Sequence, residues 1–122
     1  MNVLTSAGWA VRGFGLLALV LGLAMWAGML TGQTSLHMLI GIGLVAALWV
    51  TAVLAGRAGA PTALVAISIA WGVLVAVFGM IHGSLLVGET HWIIQVTHLL
   101  IGVVAIGFGE MLVVRAGRAA AA

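Results

Sequence analysis

Two histidines recur in matched settings along this chain. His37-Met38-Leu39-Ile40-Gly41 returns 61 residues later as His98-Leu99-Leu100-Ile101-Gly102, and Ala55-Gly56-Arg57-Ala58 returns at the same offset as Ala116-Gly117-Arg118-Ala119. Each copy therefore carries a histidine at one end and an arginine at the other, 20 residues apart. At the rise of an α-helix that spacing is about 30 Å, so the two imidazoles are expected at one height on two helices of one bundle. Imidazoles facing each other across a bundle can hold a metal centre, and a pair at one height can supply both axial ligands of a single haem iron.

The elements that must position them follow from composition. The chain of 122 residues is 65% hydrophobic and 5% charged, and its six charged residues are four arginines and two glutamates. So little polar surface cannot cover a soluble domain of this size, which makes the chain a membrane protein. A bilayer core needs about 20 apolar residues per helix. Four spans fit, near residues 10–30, 36–56, 62–82 and 92–114. The apolar stretch of the first is longer than a signal-peptide core, and the reading here is that it is retained. Short links force antiparallel neighbours, so the expected fold is all-α: a single transmembrane domain, an up-down four-helix bundle built from a duplicated two-helix unit, with halves at about 10–58 and 62–119.

Arg12, Arg57, Arg115 and Arg118 account for the formal charge of +2 and mark orientation, not nucleic-acid binding. By the positive-inside rule both termini are expected on the cytoplasmic side of a bacterial inner membrane, with all four histidines at the opposite rim. No cysteine is present, which excludes disulfides and thiolate metal sites. Pro61 suits the first turn of the third helix. Thr34 or Ser35 suits the N-cap of the second. In the first helix of each half, Gly28-Met29-Leu30-Thr31-Gly32 aligns with Gly79-Met80-Ile81-His82-Gly83 at an offset of 51, leaving ten extra residues near Ser84 to Ile93, which include Glu89, His91 and Trp92.

Helical spacing puts His91, Gln95, His98, Gly102, Ala105 and Gly109 on one face of the fourth helix, and His37, Gly41, Leu44 and Leu48 on one face of the second. A glycine one turn below each repeated histidine leaves the room that a flat macrocycle needs. In a square bundle helices 2 and 4 are diagonal partners, roughly 11–14 Å apart, with space for the group in the outer half. His37 and His98 are thus the candidate haem-iron ligands, with Gly41 and Gly102 giving clearance. His82, His91 and Gln95 are candidates for contact with haem propionates, and His82 or His91 could replace His37. Alternatively, all four histidines could hold one zinc, copper or iron ion. The plainer readings stand beside these: rim histidines wetted by interfacial water, Met29 and Met80 as adaptable packing, and Glu110 paired with Arg12 or Arg115. No nucleophile with an adjacent base and no phosphate-binding glycine loop is present.

His37, Gly41, His98 and Gly102 in this setting resemble the membrane b-type cytochromes, in which histidines on facing helices of a four-helix bundle ligate haem. The familiar pattern of two histidines about 14 residues apart on one helix is missing, so the resemblance implies one haem b, not two. It further implies electron transfer, with quinone or a periplasmic electron carrier as partner, lipid as surroundings, and a homo-oligomer or larger membrane complex as context. An electron carrier fits better than a stand-alone enzyme, because two strong axial ligands leave no open iron position. Two other classes stay open: a structural or assembly subunit, and a histidine-based metal-ion or proton handler.

Overall fold

The computed structural model describes residues 2–122, and among them it contains helices and no strand. Four long helices follow one another: α1 (Val3–Trp26), α2 (Thr34–Arg57), α3 (Thr62–Ile81) and α4 (His91–Ala120), with a single 3₁₀ turn at His82–Ser84 after α3. Each is long and apolar enough to cross a membrane. The expected helix count and order are therefore found, while the ends differ. α1 begins seven residues before the expected position because Asn2 caps it, its Oδ1 accepting from the Thr5 N–H at 2.8 Å. It also ends earlier, as Gly28 and Gly32 take φ of +74° and +83° and turn the chain. Gln33, not Thr34 or Ser35, occupies the N-cap of α2, and Pro61 sits just before the first residue of α3.

The first-helix alignment of the two halves does not carry into space. Gly28 to Gly32 lie in the turn beyond α1, whereas Gly79 to Ile81 close α3. Met29 is accordingly 77% exposed in a loop and is no counterpart of Met80 on a helix.

α2 and α4 touch across the bundle, whereas α1 and α3 do not, so the section is a rhombus with α2 and α4 on its short diagonal. This is closer than a square bundle would allow. The buried core explains where they meet: Leu44, Val45, Leu48, Ala52 and Ala55 of α2 join Ala105, Leu112 and Ala116 of α4, with Val11 of α1 and Val75 of α3. This core runs from the middle of the bundle into the arginine-bearing half. Small residues permit the approach: a Cβ on Gly109 would stand 2.7 Å from Val11 Cγ1, and one on Gly15 would stand 2.5 Å from Ile106 Cγ1.

Polar groups inside the bundle find partners on backbone. The buried Thr51 and Ser68 hydroxyls donate to the carbonyls of Ala47 and Leu64, each at 2.7 Å. Trp71 Nε1–H donates to the Ile101 carbonyl at 2.9 Å and Trp49 Nε1–H to that of Ile69 at 3.1 Å, tying α3 to α4 and α2 to α3.

Arg12 and Glu110 settle the choice of partner left open by the sequence: Arg12 Nε bonds Glu110 Oε1, and Nη2 donates to Oε2 at 2.6 Å. Arg12 does not precede its helix; nine residues into α1, it lies about 14 Å along it. Its guanidinium also lies over the Trp9 ring, 4.4 Å from the centroid. Both side chains remain more than a third exposed. Removing one partner leaves the other charge without its counter-ion, so Glu110→Leu is expected to lower the melting temperature. The double variant Arg12→Leu/Glu110→Leu should recover most of that loss. Thermal melts of the three proteins in detergent check this, and a double variant weaker than the single would count against it.

Candidate functional site

The half of the bundle away from the arginines is packed quite differently. Beyond Leu21 on α1, Leu44 on α2 and Ala105 on α4 no helix buries a residue fully, and a cavity of about 710 Å³ opens instead. That volume lies in the range of small-molecule and cofactor sites. All four helices line it, and its polar contributors are few: Thr34, His37, His82, Gln95 and His98, with Trp26 and Trp49 among the apolar walls.

His37 and His98 project into this space from α2 and α4, their ring centroids 6.0 Å apart and their planes tilted by 58°. Gly41 and Gly102, one turn further along each helix, also line it, and a Cβ on either would meet no atom within 4 Å. These glycines serve the cavity. They contrast with Gly15 and Gly109, which serve helix contact.

Two further glycines bear on the histidines. A Cβ on Gly22 of α1 would stand 3.0 Å from His37 Cε1, and one on Gly79 of α3 would stand 3.7 Å from His98 Cε1. Each imidazole thus rests against a glycine of the preceding helix in its own half. Sequence reasoning missed this correspondence because it looked for the first-helix repeat at Gly28, six residues beyond Gly22.

Nδ1 of His37 and Nδ1 of His98 are buried without a hydrogen-bond partner. A buried imidazole nitrogen left without a partner costs free energy that a group bound at that same nitrogen would offset. Nothing on the protein sets the orientation of His98 through a hydrogen bond. Aromatic contact does so instead: the His98 ring runs nearly parallel to Phe78 (centroids 5.9 Å, 13°) and to His82 (4.8 Å, 11°), which are one turn apart near the end of α3. Phe78 was not singled out by the sequence, where it reads as one more apolar residue of a membrane span.

The remaining histidines are placed otherwise. His82 borders the cavity, and its Nδ1–H donates to the Gly79 carbonyl at 2.8 Å. His91 does not border the cavity: it stands behind His82, ring centroids 6.5 Å apart, with Nδ1–H donating to the Leu85 carbonyl at 3.0 Å. His91, expected from its helical face to border the same space as His98, is therefore not among the residues that line it. Gln95, one turn further in, does line the cavity. Among the described residues no group of three or more histidine and acidic side chains is gathered as a metal site, so the four histidines do not enclose one ion. Met80 lines the cavity, whereas Met29 does not.

The arrangement can accept a flat, largely apolar group that is bonded through its centre to two nitrogens. Two imidazoles on one metal, each nitrogen about 2 Å from the ion and each ring centre roughly 1 Å further, have centroids about 6 Å apart. His37 and His98 meet that requirement. No family model, curated protein or solved structure matches the chain.

Proposed function

We propose that this chain is a membrane b-type haem protein that carries electrons through one haem held between His37 and His98. The observation that carries the reading is the pair itself: two imidazoles without hydrogen-bond partners on Nδ1, 6.0 Å apart at a cavity whose facing glycines present no side chain. A purely structural subunit has no use for such a pair, and a proton or ion path would need free polar groups beyond the cavity, where Leu48, Ala52 and Leu112 close the core and the buried Thr51 and Ser68 hydroxyls are bonded to carbonyls of their own helices.

Haem, when bound, supplies one-electron redox chemistry; the protein supplies the rest. His37 and His98 would hold the iron from α2 and α4. Phe78 and His82 keep the His98 ring in one plane. Apolar walls exclude water and lower the local dielectric, one of the levers that set a haem's potential. Gln95 and His82 are the cavity's polar groups suited to the haem carboxylates. The arginine distribution favours a bacterial inner membrane with both termini in the cytoplasm, which puts the haem toward the outer face. A single site in that half does not reach the other face, so quinone, a periplasmic carrier or a larger complex must complete the electron path.

Carbon monoxide tests the bis-histidine assignment. Reduced wild-type protein should not bind it, because both axial positions are filled. His37→Ala should open one position and shift the reduced spectrum on exposure to the gas. An unchanged, gas-insensitive low-spin spectrum in His37→Ala would move the second ligand to His82.

A further inference from the structure

The haem reading leaves His91 unused and gives His82 only a supporting part. We propose that these two residues form a separate binding site for a borderline divalent cation, Zn²⁺ or Cu²⁺, at the histidine end of the bundle.

The first argument is the state of the rings. Each of the two donates Nδ1–H to a backbone carbonyl, His82 to Gly79 at 2.8 Å and His91 to Leu85 at 3.0 Å. With the proton of the neutral ring on Nδ1, the lone pair is left on Nε2. Metal-bound histidines almost always make such a bond through the other ring nitrogen, because it orients the ring and raises its basicity. His37 and His98 lack it, so the two pairs are prepared differently.

Separation is the second argument. The rings of His82 and His91 lie 6.5 Å apart at 25°. Two imidazoles sharing a tetrahedral ion at about 2.0–2.1 Å from each nitrogen have centroids roughly 5 Å apart, so the two rings must draw together by about 1 Å to close the site.

Third, the connecting segment is built to hold that spacing. Leu85 N–H donates to the His82 carbonyl at 3.2 Å and His91 N–H to the Gly88 carbonyl at 3.1 Å, so backbone bonds pin the loop beside each histidine. Between them Leu86 is held at φ +44°, the left-handed region that a leucine rarely adopts, and Gly88 at +106°. Backbone strain of this kind concentrates at functional sites. The shorter turn between α1 and α2 has no histidine, so the device belongs to the second half alone.

Charge permits a cation here. All four arginines lie toward the opposite end, and the charged residue of this loop is Glu89. Two imidazoles without a carboxylate cage select against Mg²⁺ and Ca²⁺, which require oxygen ligands. With two protein ligands the other positions fall to water, so the ion is exchangeable.

Zinc chloride added to metal-free protein in detergent, followed by calorimetry and by metal analysis after dialysis, tests the site. One Zn²⁺ per chain is expected. His82→Gln and His91→Gln should each weaken binding about tenfold or more, and His37→Gln should leave it unchanged. No zinc above a detergent blank, or an affinity indifferent to His91→Gln, overturns the proposal, and the wild-type stoichiometry alone suffices if a variant fails to fold. Haem content read from the same samples keeps the two readings apart: a colourless protein that binds zinc through His82 and His91 supports this site and contradicts the haem assignment, whereas a red protein indifferent to zinc does the reverse.

Discussion

Replacement of His98 by alanine is expected to abolish haem binding while leaving the helices folded. Of the two proposed ligands, His98 is the one whose surroundings are most completely built. Its Nδ1 is buried without a partner, and its ring is aligned with Phe78 and His82. Without the ring only His37 on α2 would remain to hold the proposed iron, and the stack on α3 would have nothing to orient. The core in the arginine-bearing half does not include His98, so folding has little to lose. Purified His98→Ala should therefore elute as the wild type does, with unchanged helical circular dichroism, and carry no haem. Retention of the full haem complement would eliminate this ligand assignment.

The second large effect is expected at the cavity glycines. Gly41→Phe and Gly102→Phe each place a ring where a Cβ meets no atom within 4 Å, so the helices need not move to admit it. The new side chain takes the space that the macrocycle would occupy. Overpacking costs about 1–3 kcal/mol even where neighbours yield, which corresponds to roughly a ten- to hundredfold loss of haem affinity at the least. Gly109→Phe should behave in the opposite way: its Cβ already lies 2.7 Å from Val11 Cγ1, so the bundle itself is disrupted. Haem titration beside thermal melting separates the cases. Loss of haem with an intact melt is predicted for Gly41→Phe and Gly102→Phe, and loss of both for Gly109→Phe. Equal behaviour of all three would show that the cavity glycines are packing glycines.

The helices were legible in the sequence because a bilayer permits few alternatives for so apolar a chain: four long apolar runs with short links leave only an α-helical bundle. The pairing of His37 with His98 followed from the 61-residue repeat and needed no contact information. Other features depend on rotation about helix axes, which apolar periodicity does not specify when nearly every face is apolar. That is why the closeness of α2 and α4, the seating of His37 on Gly22 and of His98 on Gly79, and the stacking of Phe78 escaped sequence reasoning. Helix ends were displaced for a local reason: Asn2 extends α1 backward through a side-chain cap, and Gly28 stops it early. His91 shares a helical face with His98 yet does not line the cavity, and its Nδ1–H is bonded to the Leu85 carbonyl of the preceding loop instead.

The central claim is that His37 and His98 share one haem iron, and visible spectroscopy of the purified wild-type protein, oxidised and then reduced with dithionite, addresses it most directly. Expression with haem precursor supplied removes cofactor shortage as a variable. The account predicts a low-spin Soret band in the oxidised form and a sharp α-band on reduction, with one haem per chain. A colourless protein, or one whose reduced spectrum is high-spin, would contradict it.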